Sequence, residues 1–281
     1  MTQHPALAPG RVAVITGAAS GIGLAAAERF AALGMRICLA DVTADPLEMA
    51  AAGIRLITRN GARDVMSAVV DVRREGEMLA LKHRVYETFG EVAVLMNNAG
   101  IGPSSSTLVP GQSWRDILET NLWGVINGTH AFAQAMIAQA TPGAIINTGS
   151  KQGITCPPGN PAYNISKAGV KVFTEALAHE LRSGEGHRIS AHLLVPGFTF
   201  TGLTHAREKP PGAWTAQQVV DFMIEKMGLG DFYILCPDNE VGRAVDNRRM
   251  FWAMQDLIEN RPALSRWHPD HAEAFRRFME S

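Results

Sequence analysis

The chain is expected to fold as an α/β protein with a doubly wound, seven-stranded parallel sheet covered by helices on both faces. Three observations predict this. Short, almost wholly apolar runs recur along the sequence, longer stretches of helical period separate them, and the first run passes straight into a glycine-rich turn that opens a helix. Strands buried on both faces lose their alternation and become continuous apolar runs, and parallel neighbours need a crossover between them. Right-handed crossovers then wind the sheet both ways from its middle.

The elements follow in order. RVAVIT (11–16) is a buried strand, and GIGLAAAERFAALG (21–34) a helix closed by Gly34. MRICLAD (35–41) is the second strand, a helical stretch spans about 45–60, and the third strand covers 65–71. Residues 73–89 are helical and VAVLMNN (92–98) is the fourth strand. A long helix is expected over 113–140, its start marked by Ser113 and Asp116 at capping-box spacing. GAIINTGS (143–150) is the fifth strand, a helix carries Tyr163, and HRISAHLLVPG (187–197) is the sixth. Residues 198–215 form a long loop, 216–230 a lid helix, and DFYILCPDN (231–239) the seventh strand. No linker or repeat interrupts residues 1–281, which are expected to form a single domain with a substrate loop and lid at 198–230 and an extension at 240–281.

Composition narrows the function. The 281 residues are 46% hydrophobic and 19% charged, an ordinary globular balance, and the formal net charge of -1 gives no electrostatic reason to expect nucleic acid or an anionic membrane as partner. Cys38, Cys156 and Cys236 are far apart and lack metal or redox spacing, which suits a reducing compartment. No apolar run reaches membrane-spanning length, and MTQHPALAPG lacks the charge and apolar core of a signal peptide, so a cytoplasmic location is expected.

The turn after the first strand is Thr16-Gly17-Ala18-Ala19-Ser20-Gly21-Ile22-Gly23. Its glycines permit a tight turn and close backbone approach, and the helix start beyond it offers free N–H groups to a pyrophosphate. Asp41 ends the second strand, where a carboxylate accepts hydrogen bonds from adenosine ribose hydroxyls and repels a 2'-phosphate. NAD is therefore expected over NADP; a mere loop cap is the alternative for Asp41. Further on, Ser150 precedes Tyr163 by thirteen residues and Lys167 follows it by four, which places Tyr163 and Lys167 on one helix face. Asn121 sits inside a helical stretch, where asparagine is unfavourable and calls for a special role.

TGAASGIG, Asp71-Val72, Asn97-Asn98-Ala99-Gly100, Asn121, Ser150, Tyr-Asn-Ile-Ser-Lys and Pro196-Gly197 together resemble the short-chain dehydrogenase/reductase family, in order over residues 11–201. The resemblance implies a Rossmann-type fold and an oxidoreductase. By it, Gly17, Ser20, Gly21, Ile22 and Gly23 hold the pyrophosphate, Asp41 the ribose, Asp71 the adenine amino group, and Val72 its ring. Asn98, Ala99 and Gly100 line the adenosine ribose side. Pro196, Gly197 and Thr199 hold the nicotinamide carboxamide with Thr201 close by, and Lys167 binds the nicotinamide ribose. Gly149 stands where the family often has a second serine.

The chemistry needs a proton donor or acceptor beside the transferred hydride. Tyr163 fits that role, Ser150 orients the substrate oxygen, and Lys167 tunes the phenol. An ammonium at roughly 4 Å in an effective dielectric of about 20 is worth up to about 4 kcal/mol, close to three pK units. The family's asparagine holds a water linking the lysine to solvent, and Asn121 matches it. Lys151 reads as a solvated loop charge, and Cys156 as a small loop side chain.

Phe198, Phe200, Trp214, Phe222 and Met223 are candidates for an apolar or aromatic substrate pocket. The tail carries one amphipathic helix, a break at Pro262, and a Trp267-His268-Pro269-Asp270-His271 cluster read as a polar loop with no metal. Its aromatic content suggests packing on a neighbouring subunit. The expected partners are a small-molecule alcohol or ketone and further copies of the chain, as a homotetramer or homodimer built through helices 113–140 and 160–183. The rival readings are an NADP-dependent carbonyl reductase and a non-catalytic dinucleotide sensor or scaffold.

Overall fold

The computed structural model describes residues 3–184, 188–204 and 207–280. His187, His205, Ala206 and Ser281, which fall in the expected sixth strand, loop and tail, lie outside these residues, as do Met1 and Thr2. The first apolar run forms β1 (Val12–Thr16), followed by α1 (Gly21–Ala32), β2 (Arg36–Asp41), α2 (Ala44–Ile57), β3 (Val65–Val69), α3 (Glu75–Phe89) and β4 (Val94–Asn97). Then come α4 (Gln112–Leu118), α5 (Gly124–Ala138), β5 (Gly143–Thr148), the short α6 (Gln152–Thr155), α7 (Pro161–Ser183) and β6 (Ile189–Val195). Beyond these lie β7 (Thr199–Phe200), β8 (Trp214–Thr215), α8 (Ala216–Gly228), β9 (Tyr233–Leu235), α9 (Arg243–Ile258) and α10 (Ala272–Glu280).

Seven strands form one parallel sheet in the order β3-β2-β1-β4-β5-β6-β9, as the apolar runs predict. Within β1 the side chains divide between two cores. Ala13 and Ile15 pack with Phe30, Leu47, Val219 and Met223, whereas Val12 and Val14 pack with Met78, Leu81, Phe132 and Met136. Burial of both faces removes polar residues from the strand interiors, which is why alternation is absent. The order of strands reverses between β1 and β4, and a crevice opens outside their carboxyl ends.

Three expectations change. The helix expected over 113–140 starts behind Gly111 without a side-chain cap, and Ser113 forms no box with Asp116. It is also interrupted: Glu119–Trp123 is one π-helical turn, with Gly124 N–H donating to Glu119 C=O. The capping box that does form is Thr215 with Gln218, at the start of α8. Finally, α8 is no lid. It lies along α1 with Val219, Val220, Met223 and Met227 buried, so its apolar face covers the sheet.

The tail holds two helices. Trp252 of α9 is 4% exposed, donates to Ser265 Oγ at 2.8 Å, and meets Phe275 and Phe278 of α10 at ring distances of 5.3 and 5.2 Å. The Arg261 guanidinium stacks on the same indole at 4.1 Å. The tail aromatics thus serve a small core within the chain, with α9 lying against α6. Among the described residues no helix is long and apolar enough to cross a membrane, and no group of three or more His, Cys, Asp or Glu is arranged to hold a metal ion.

Candidate active site

A cleft of about 990 Å³ runs along the carboxyl ends of the strands, with the turn after β1 as its floor and Ser150, Tyr163 and Lys167 at one end. The floor is built by close approach. Gly17 has φ +64°, and a Cβ there would stand 2.7 Å from Ala99 Cα. A Cβ on Gly23 would stand 2.2 Å from the Gly17 carbonyl oxygen. Only glycine lets the first turn of α1 sit this tightly under the loop, aiming its free N–H groups into the cleft. Ser20, Gly21 and Ile22 line that floor. Gly23 stands behind them, packed against the Gly17 carbonyl.

Asp41 lies on the cleft wall, and its two oxygens accept hydrogen bonds from the Ala19 and Thr43 backbone amides, both at 3.1 Å. It therefore caps the loop and faces the cleft together, and each oxygen keeps lone-pair capacity for a further donor. Asp71 and Val72 also line the cleft. The Asp71 carboxylate is gripped by Arg73, at 2.6–3.0 Å, and that hydrogen-bonded ion pair holds its pKa below the usual value. An adenine amino group would have to share it. Val72 C=O accepts from Asn127 Nδ2 at 2.9 Å.

Asn98, Ala99 and Gly100 border the cleft, but the Asn98 side chain has a structural task. Its Nδ2 donates to Thr16 C=O at 3.1 Å and Gly17 C=O at 3.3 Å, and its Oδ1 accepts from Thr148. Asn98 thus fastens the glycine turn to the end of β5. Pro196, Gly197, Thr199 and Thr201 line the facing wall. A Cβ on Gly21 would stand 3.3 Å from Thr201 Cγ2, so this wall closes over the turn.

At the reactive end, Ser150 follows β5, and Tyr163 and Lys167 stand on successive turns of α7. Burial pushes the Tyr163 phenol above its usual pKa, opposed by a hydrogen bond with Ser150. Lys167 is 4% exposed, donates to Thr148 C=O at 2.8 Å, and is pulled by burial down to about 8. Its Nζ stands 5.8 Å from the Tyr163 ring centroid. In the chain by itself burial of the phenol therefore outweighs the Ser150 hydrogen bond.

Asn121 is fully buried in the π turn and does not line the cleft. Its Oδ1 accepts from Ile101 N–H at 2.8 Å, and its Nδ2 donates to Ile101 C=O at 2.9 Å and to Ser166 Oγ at 3.2 Å. The amide clamps the loop after β4 to α7, and its Oδ1 and Lys167 Nζ would both lie within 4 Å of a Cβ on Gly100. Of the five aromatic or apolar pocket candidates only Phe198 lines the cleft. Trp214 and Phe222 stack edge-on at 5.8 Å over the core, and Met223 is fully buried within it.

Some contributors escape sequence reading. Leu203 lines the cleft, and Lys151, taken for a solvated charge, is only 18% exposed and paired with Asp238 and Asp246. Nothing in the local pattern links Lys151 to residues about ninety positions later. Cys156 agrees with expectation as a half-buried loop residue whose thiol burial pushes up.

The fold and cleft define an enzyme that binds a nicotinamide dinucleotide, and comparison gives the family. The short chain dehydrogenase profile matches residues 11–211. The chain is 31% identical to 1-deoxy-11-beta-hydroxypentalenate dehydrogenase of Streptomyces exfoliatus over 265 residues, 92% of this chain and 94% of the relative. It is 35% identical to 2-(R)-hydroxypropyl-CoM dehydrogenase of Xanthobacter autotrophicus over 205 residues, 72% of this chain and 79% of that one. A short-chain dehydrogenase/reductase from Burkholderia phymatum, solved in complex with NAD, superposes with a TM-score of 0.82 at 29% identity, covering 93% of this chain and 98% of that one. The protein belongs to the short-chain dehydrogenase/reductase family and is an oxidoreductase acting on CH–OH groups.

Proposed function

We propose that the protein transfers hydride between NAD(H) and a secondary alcohol or its ketone, with Tyr163 as the general acid/base. The observation that carries this reading is the convergence of Ser150, Tyr163 and Lys167 at the end of the cleft whose far wall bears Asp41. When bound, the nicotinamide supplies the hydride acceptor or donor. Tyr163 takes the carbinol proton in oxidation and returns it in reduction. Ser150 holds the same oxygen and stabilises developing negative charge on it. Lys167, an ammonium below about pH 8, would offer hydrogens to the ribose hydroxyls of the bound cofactor and favours the ionised form of a nearby phenol. The carboxylate of Asp41 supports NAD over NADP.

Phe198 and Leu203, 46% and 44% exposed on the cleft, support an apolar substrate body. Leu203 lies near Tyr163, both within 4 Å of where a Cβ on Gly102 would sit. The relative matched over 92% of this chain is named for dehydrogenating a hydroxypentalenate. Exposed Trp123, Ile165 and Val172 on the helices expected to join subunits support a homo-oligomer. Three free cysteines fit a cytoplasmic setting.

The test is Tyr163→Phe, assayed with a panel of secondary alcohols and ketones. Turnover should fall by about 10²–10⁴, the range for general acid/base groups, while NADH still binds in a fluorescence titration and NADPH binds more weakly. Undiminished turnover overturns the mechanism, and tighter NADPH binding overturns the cofactor assignment.

A further inference from the structure

Lys151 follows the proposed catalytic Ser150 directly. Its backbone N–H donates to Pro196 C=O at 3.5 Å, bridging the two segments that flank the reactive end of the cleft. Its side chain turns toward the tail. Nζ lies 2.7 Å from Asp246 Oδ2, in the first turn of α9, and 3.4 Å from Asp238 Oδ2, just beyond β9. Both carboxylates are only 7% exposed.

The second carboxylate reaches further. Asp238 Oδ2 accepts from Phe198 N–H at 3.3 Å, and its Oδ1 accepts from Val241 N–H at 2.7 Å. A Cβ on Gly197 would stand 2.9 Å from Asp238 Oδ2 and 3.1 Å from Lys151 Nζ. The ion pair is thus pressed against the backbone of Gly197, where any other residue would displace it. A largely shielded cation bound to two buried carboxylate groups on different segments acts through geometry, because none of the three groups can reorient without leaving an unpaired charge.

We propose that Lys151 is a positioning residue: caged between Asp238 and Asp246, it ties α9 to the Ser150 segment and to Pro196–Thr199, so that the tail holds the reactive end in register. The inference rests on the NAD(H) site proposed above. It makes the extension part of the reaction scaffold, acting within its own subunit, through a contact with no counterpart in the motifs that carry the family resemblance.

Three variants of the full chain test it: Lys151→Met, Asp246→Asn and Lys151→Arg. Displacements of about 1 Å at a reacting centre cost up to about a hundredfold, and a supporting shell acts at that scale. Lys151→Met and Asp246→Asn are each expected to weaken NADH binding about tenfold and lower kcat by at least as much. Hydrogen exchange at residues 196–200 should rise in both. Because the two groups act as one contact, the double variant should lose no more than either single one. Lys151→Arg, which keeps the charge, should recover most of the loss. If both single variants keep NADH affinity and kcat within about twofold while melting earlier, the contact is structural only and the proposal fails; additive losses also overturn it. Should the variants not accumulate as folded protein, exchange at 196–200 in the wild type is compared with that in Asp238→Asn, which keeps the side chain's shape and removes one charge from the cage; unchanged exchange there overturns the proposal. NADH binding to the wild type checks the underlying site separately, since its absence defeats the proposed function and leaves these structural readouts standing.

Discussion

Lys167 carries a cost that its neighbours do not remove. It is buried, it donates to the Thr148 carbonyl, and its pKa falls from 10.5 to about 8. Below pH 8 both folded and unfolded chains hold the proton, and burial of the charge weighs against folding. Between pH 8 and 10.5 the folded chain has released the proton and the unfolded chain has not, so stability from this group rises with pH. At about 1.4 kcal/mol per pK unit the full rise is roughly 3 kcal/mol. Denaturant midpoints of the wild type and Lys167→Met across this window should show that rise as a difference, since other groups titrate equally in both. A flat difference contradicts it. The same titration removes the ammonium beside Tyr163, so a group placed for chemistry is bought at the expense of stability. Sequence spacing puts Lys167 one helical turn after Tyr163, as α7 does, but its depressed pKa depends on burial by segments far along the chain.

At the scale of elements, the π turn at Glu119–Trp123 decides how α4 and α5 meet the site. One extra residue in the turn rotates the helix face, and Asn121 reaches both backbone groups of Ile101. Such insertions occur often at functional positions. Asn121→Ala strips two backbone groups and Ser166 Oγ of their partner, a destabilisation of roughly 2–4 kcal/mol from unsatisfied groups. A lower urea midpoint with an unchanged m-value would show this, together with a fall in kcat as the loop after β4 loosens. An unchanged midpoint would mean that water replaces the amide. The helical period over 113–140 predicts helix throughout and hides the π turn, because a single added residue barely disturbs the apolar pattern. Only the unfavourable asparagine hinted at it. In the same way, period alone could not separate a lid from a cover: α8 is amphipathic in either case, and packing on α1 selects the second.

For the whole molecule, long-range polar contacts pin both ends of the chain to the sheet. At the amino end, His4 Nε2 and His192 Nε2 flank Ser190 Oγ at 3.1 and 2.9 Å. Burial, and then repulsion from His192, lower the His4 pKa to about 4. Because the unfolded imidazole titrates near 6.5, it gains protons that the folded one refuses between pH 6.5 and 4, and stability from this group declines as pH falls through that range. His4→Gln should flatten the acid limb of the stability–pH profile, and an unaltered limb would show that the pair does not couple to folding. At the other end, Lys151, Asp238 and Asp246 bind the tail to the site, and Trp252 gathers α10 against α9.

The parallel seven-stranded sheet, the glycine turn, Asp41 and the Ser150–Tyr163–Lys167 constellation were all legible in the sequence. Each is written in local pattern: apolar runs, φ-permissive glycines, or residues one helical turn apart. Tertiary structure decided the rest. Asn98 and Asn121 became clamps, Trp214 and Phe222 turned to the core, and Lys151 became held between two carboxylates. These outcomes depend on partners that lie tens of residues away or more, and on which face the completed sheet leaves for each helix. Local sequence records what a residue is able to do; packing determines which groups it meets.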